Sequence, residues 1–208
     1  MLAGTIGAAA VVLGQISIPP PAQLDLGRVA FWIALTLIAS FTPVTLPGGV
    51  GASLNTAPLI AIVFDSTMPA PFAVCWIALL GTFQLRDFRR QLPWYGTVFN
   101  RANMVLSTFS AWVALALTSP WVRSDDPWAI FAQILIVGFA FALTNNFLSV
   151  LAASVRQNSP FARVWALSVR NVVIGLLGQI PMGWLMAQIA IGVGYWATIP
   201  FIMPLVLA

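Results

Sequence analysis

Apolar residues in this chain come in long runs separated by short punctuated stretches. The runs cover residues 1–18, 28–44, 52–64, 71–85, 97–118, 128–155, 164–188 and 191–208. A helix needs about 20 mostly apolar residues to cross a bilayer core, so most of these runs are predicted as spans. The expected fold is all-α, a polytopic transmembrane helix bundle of about 6–8 spans. Short broken helices are expected in the 46–85 region. The two short runs there read either as thin spans or as a broken pair packed inside the bundle, because irregular backbone at membrane depth needs protein or a water-filled cavity around it.

The polar stretches supply the breaks. Pro19-Pro20-Pro21 cannot continue a helix. Pro43, Pro47, Gly48, Gly49 and Gly51 make a second break, and Pro69 with Pro71 a third. Pro93, Pro120, Pro127 and Pro160 mark later loops, while Pro181, Pro200 and Pro204 fall within apolar runs and predict kinks. The first run has no basic start, so it reads as a span or partial span rather than a signal peptide.

Composition sharpens the picture. The chain is 60% apolar and 7% charged, with a mean hydropathy of +0.95. Soluble domains carry about 25% charged residues. So few charges cannot cover a water-facing surface, and residues 1–208 read as a single integral membrane domain. All nine cationic side chains are Arg and all five anionic ones are Asp. With no His and with Cys75 as the single thiol, neither the usual metal-ligand clusters nor Ser-His and Cys-His nucleophile pairs can form. No metal, cofactor or catalytic residue is assigned, and the chain reads as a non-enzyme.

The net charge of +4 is a topological signal rather than a nucleic-acid one, because the arginines fall in short loops and form no basic face interleaved with aromatics. Residues 86–96 hold Arg86, Arg89 and Arg90, and residues 156–165 hold Arg156 and Arg163, with Arg170 just beyond. Between them, residues 119–127 set Asp125 and Asp126 against Arg123. The positive-inside rule puts the first and last of these loops in the cytoplasm and the middle one outside. Continuing the alternation forward puts Ala208 inside, and continuing it backward puts Met1 inside if the two short runs both cross. Trp94, Tyr95 and Trp165 then sit at one interface, and Trp121, Trp128, Tyr195 and Trp196 at the other. The chain stops within an apolar run, which fits a natural end or a fragment cut before a further domain.

Polar residues inside the runs are the candidate functional groups: Asn55, Asn100, Asn103, Asn145, Asn146, Asn171 and Gln179. Asn100, Asn103 and Ser107 share a helical face, as do Asn171, Gly175, Gly178 and Gln179. Asn145, Asn146 and Ser149 make a third cluster. Converging, these faces would build a polar ligand pocket. Equally, each Asn or Gln could join two helices by a hydrogen bond worth about 0.6–2 kcal/mol. Arg101 and Arg170 lie about a turn inside the cytoplasmic boundary, where snorkelling to the interface accounts for them. Residues 46–55 are Gly-rich but lack the Lys-Ser/Thr of a phosphate loop, and no carboxylate pair sits in a span.

The order of Val44-Thr45-Leu46-Pro47-Gly48-Gly49, Ser53-Leu54-Asn55-Thr56-Ala57-Pro58, Arg86-Asp87-Phe88-Arg89-Arg90, Pro93-Trp94-Tyr95, Phe99-Asn100-Arg101-Ala102, Asn145-Asn146 and Met203-Pro204-Leu205 resembles a known arrangement. It is similar to the N-terminal multi-span sensor regions that precede HD-GYP and GGDEF domains in bacterial cyclic-di-GMP signalling proteins. The resemblance implies a sensory input module of the bacterial inner membrane, with a cytoplasmic output domain or partner subunit beyond a cytoplasmic C-terminus. No HD-GYP or GGDEF signature is present, so it implies no activity for these residues. Residues 46–85 also resemble the S components of energy-coupling-factor vitamin transporters, which implies a small-molecule pocket and leaves a small-solute transporter subunit or permease as the alternative. The lipid bilayer is the expected partner, with a small-molecule ligand and a homodimer left open, and no nucleic acid.

Overall fold

The structure, a computed structural model, describes residues 2–15, 25–42, 44–46, 50–52, 54–68, 71–84, 87, 93–123 and 125–201, without the side chains of residues 2, 44–46, 50–52 and 170–177. The described chain is almost wholly helical. Helix α1 spans Leu2–Gln15 and α2 spans Leu26–Phe41. The Asp25 carboxylate caps α2 by accepting the Arg28 backbone N–H at 3.0 Å. Helices α3, Thr56–Phe64, and α4, Phe72–Gly81, follow. Helix α5, Trp94–Thr118, starts directly after Pro93 and tightens into a 3-10 turn at Ser119–Trp121. Helix α6 spans Pro127–Gln157 and α7 spans Phe161–Gly192.

The start and stop of α6 follow from local chemistry. Asp126 accepts the backbone N–H groups of Trp128 and Ala129 at 2.9 and 3.1 Å, with Pro127 in the first helical position. At the other end Asn158 takes φ 49°, a left-handed stop, and Pro160 prevents continuation.

Two places between residues 42 and 85 take a definite form. The Pro-Gly break after α2 is not purely irregular: Val44–Leu46 and Val50–Ala52 form β1 and β2 of a small antiparallel hairpin, with Val44 opposite Ala52. The all-α reading stands, with this hairpin as a local feature where the β-branched residues Val44, Thr45 and Val50 favour extended backbone. The runs at 52–64 and 71–85 decide between thin spans and a broken pair. At nine and ten residues, α3 and α4 are about 13–15 Å long, half of a bilayer core. They are the broken pair. Nearly all of α3, from Ala57 to Val63, is buried, together with Ala73, Val74, Cys75, Ile77 and Ala78 of α4. Helices α2, α5 and α7 pack around them.

Close approach at three crossings depends on glycine. A Cβ on Gly81 would stand 2.7 Å from the Thr36 Cβ, and one on Gly183 would stand 2.5 Å from the Ala57 carbonyl oxygen. A Cβ on Gly138 would run into the Ile180 side chain. These glycines set the α4–α2, α7–α3 and α6–α7 contacts, the small-residue packing typical of helices in lipid. Helix α7 runs through Pro181 as one assigned helix. The run expected at 191–208 is described only to residue 201, with a 3-10 turn at Tyr195–Thr198, and the rest of it lies outside the described residues.

Among the described residues, two helices are long and apolar enough to cross a membrane, Trp94–Trp121 and Pro127–Gln157. The outer face of α6 carries Phe131, Leu135, Phe139, Leu143 and Phe147, four apart and all exposed. A stripe this long is a liability in water and an ordinary surface in lipid. Exposed Trp94 and Tyr95 lie at one end of the bundle, and exposed Trp121, Trp128 and Trp196 at the other.

Candidate functional site

The polar residues form three groups, each placed by a different set of helices. The first is a seam between α5 and α6. Asn103 Nδ2 donates to the Asn145 Oδ1 at 2.7 Å and to the Ser149 Oγ at 3.1 Å. One turn on, Ser107 Oγ donates to the Asn103 carbonyl at 2.7 Å. Further along, Ser110 donates to the Ala140 carbonyl, Thr144 donates to Ser110, and Gln133 donates to Thr118. The seam extends to α7, where Ser168 Oγ donates to Asn146 Oδ1 at 2.7 Å.

The second group consists of two buried ion pairs, one toward each end of the bundle. Near the start of α2, Arg28 Nε and Nη2 donate to Asp65 at 2.9 and 3.1 Å. The Asp65 side chain is wholly buried. It also accepts the Trp32 indole N–H at 3.1 Å and the Thr67 hydroxyl at 2.6 Å. Arg28 reaches the Ala190 carbonyl near the end of α7 at 3.1 Å and lies over the Tyr195 ring. Toward the other end, Arg101 lies over the Phe83 ring, donates to the Leu79 carbonyl at 3.3 Å and meets Asp87 at 3.4 Å. Thr97 donates to the same carboxylate at 2.8 Å.

The third group lines a half-open cavity of about 690 Å³ between the start of α1, the start of α5 and the last turns of α6. Its apolar wall includes Ala3, Phe99 and Ala152, and its polar wall includes Tyr95, Asn100, Ser149 and Arg156. Ser149 is therefore shared between the seam and the cavity. The cavity also fixes that these three helix ends lie together, opposite the Arg28 end, since α7 rises about 48 Å from residue 161 to residue 192.

Set against the sequence expectations, the candidate residues separate. Asn103, Asn145 and Asn146 join helices. Asn55 is buried and donates to Ser40 at 3.2 Å, which in turn donates to the Gly81 carbonyl, tying α3, α2 and α4. Asn100 faces the cavity. Gln179 keeps a buried Oε1 without a partner among the described residues. The side chains of Asn171 and Arg170, and all of Arg86, Arg89 and Arg90, lie outside the described residues. Arg156 and Arg163 are exposed, but they lie in the last turn of α6 and the first turn of α7 rather than in a 156–165 loop, the connection being only residues 158–160. Arg101 corrects the snorkelling expectation: it is buried and turned inward, because Asp87, the Leu79 carbonyl and the Phe83 ring satisfy it inside the bundle.

Asp65 and Arg28 carry the most buried charge pairing in the described structure, yet neither stood out in the sequence. They are far apart in the chain, and each borders an apolar run as an ordinary loop residue would. The available signal was that an Asp next to an apolar run, in a chain with only five Asp, needs a partner. No protein-family model, curated protein or solved structure matches this chain.

Proposed function

We propose that this chain is a membrane-embedded input module, a bundle of about six spans around the broken pair α3 and α4, that relays a signal to a cytoplasmic signalling domain. Its proposed place is a bacterial inner membrane, with the Arg156 end and the chain terminus on the cytoplasmic side, where the arginine bias puts them. The observation that carries this reading is the pairing of the polar residues. Asn55, Asn103, Asn145 and Asn146 bond to neighbouring helices rather than standing around a passage. A bundle joined this way has helix contacts that can shift between discrete arrangements, which is what a relay needs.

The test places a diguanylate cyclase domain after residue 208 and measures its output in membrane vesicles. Asn103→Leu breaks the seam at its centre and is expected to change output at least about fivefold, the lower end of ordinary coupling. Output unchanged in a folded bundle would contradict the relay. The half-open cavity favours a second reading, a small-solute transporter subunit. That reading expects vesicles carrying the chain to accumulate a solute, with Asn100→Leu abolishing the uptake.

A further inference from the structure

We infer that the half-open cavity between α1, α5 and α6 seats an anionic phospholipid, its phosphate against Arg156 and its upper acyl chains against the apolar wall. The inference rests on the reading of the chain as a membrane bundle. Its argument begins with charge. Among the described residues Arg156 has no acidic partner, unlike Arg28 and Arg101. Among the described residues no carboxylate lines the cavity. The one cation there, among the described residues, is an exposed guanidinium at the last turn of a helix, the position where a side chain reaches the headgroup level.

The neighbouring polar groups are donors in a suitable arrangement. Ser149 Oγ already accepts from Asn103, so its own hydroxyl hydrogen is directed elsewhere, and the side chain borders the cavity. Asn100 is exposed on the same wall, one turn before Asn103, and brings an amide N–H₂. Tyr95 adds a phenolic hydroxyl at the rim. An Arg with two or three neutral donors is the chemistry that holds a phosphate. Gln157 adds a further amide beside Arg156, while Ala3, Phe99, Ala152 and Val155 form an apolar wall that suits hydrocarbon.

Place and size agree. The cavity opens at the end that holds the exposed aromatics Trp94 and Tyr95, where a bilayer puts its headgroups. Basic pockets between spans on the cytoplasmic side are the usual form of anionic-lipid sites. At about 690 Å³ it takes a headgroup, the glycerol and the first part of two chains, leaving the remainder in the bilayer. A lipid there touches the seam through Ser149, so its occupancy bears on the α5–α6 contact that the relay uses.

The test reconstitutes the full chain in nanodiscs of phosphatidylcholine and exchanges in phosphatidylglycerol, counting retained lipid by native mass spectrometry. Wild type is expected to retain phosphatidylglycerol over phosphatidylcholine. Arg156→Gln should weaken that retention about tenfold, the worth of one charge-assisted hydrogen-bonded contact. Arg163→Gln removes an exposed arginine of the same end that does not line the cavity, and should leave retention unchanged. Asn100→Leu should weaken it less than Arg156→Gln. Equal retention of the two lipids, or equal loss in Arg156→Gln and Arg163→Gln, would overturn the site. Inorganic phosphate or glycerol phosphate displacing the lipid at equal concentration would overturn the lipid assignment in favour of a soluble anion. Release of the chain from membranes by alkaline carbonate would instead defeat the membrane reading on which the site depends.

Discussion

Asp65 accepts five hydrogen bonds while fully buried, from Arg28 Nε, Arg28 Nη2, Trp32 Nε1, Thr67 N and Thr67 Oγ1. Such saturation is what makes a carboxylate tolerable away from water. The five aspartates thus have separate duties. Asp25 and Asp126 cap helices, Asp65 and Asp87 neutralise inward arginines, and Asp125 is exposed in a loop. Removing one half of a buried pair leaves the other charge uncompensated, at a cost of about 3–5 kcal/mol, whereas replacing both by apolar residues costs far less. Asp65→Asn should therefore lower the melting temperature in detergent sharply. The double variant Arg28→Met with Asp65→Leu should recover most of the loss. A double variant as unstable as the single one would show that the pair is not a closed unit. Residue chemistry of this kind was half legible in the sequence. The capping role of Asp126 follows from its place before Pro127 and an apolar run, but the pairing of Arg28 with Asp65 depends on a fold that spacing alone does not reveal.

Between elements, contact is decided by glycine and by the Asn-Ser seam. Gly183 faces α3 with no room for a methyl group, while Gly178, five residues earlier on the same helix, has nothing within 4 Å. Gly183→Ala should destabilise the bundle by about 1–3 kcal/mol through overpacking. Gly178→Ala should be neutral or stabilise by up to about 1 kcal/mol through helix propensity. Thermal unfolding of the two in one detergent compares them directly, and equal effects would contradict the α3–α7 contact. The long helices were visible in the sequence because each is one apolar run with Pro or Asp-Pro at its start. The short pair α3 and α4 was visible only as an ambiguity, since periodicity does not distinguish a buried half-helix from a thin span. The hairpin between α2 and α3 was hidden, as three-residue strands give almost no periodic signal.

At the scale of the whole molecule, an apolar stripe along α6, aromatic residues at both ends and charges turned inward or parked at the ends suit the proposed body whose middle faces hydrocarbon. That much could be read from hydropathy. The candidate site was less legible. All seven proposed polar residues were chosen for being polar in an apolar setting, yet Asn55, Asn103, Asn145 and Asn146 prove to be joints, and the cavity took its shape from where three helix ends meet. The central claim is that α6 carries the chain across a bilayer, separating residue 125 from residue 157 by about 46 Å of helix. Single cysteines at those positions, labelled with a membrane-impermeant maleimide in intact cells, measure this directly, and wild type serves as the blank because Cys75 is fully buried. Asp125→Cys should label in intact cells and Gln157→Cys only after the membrane is opened. Equal labelling of both in intact cells would contradict the account.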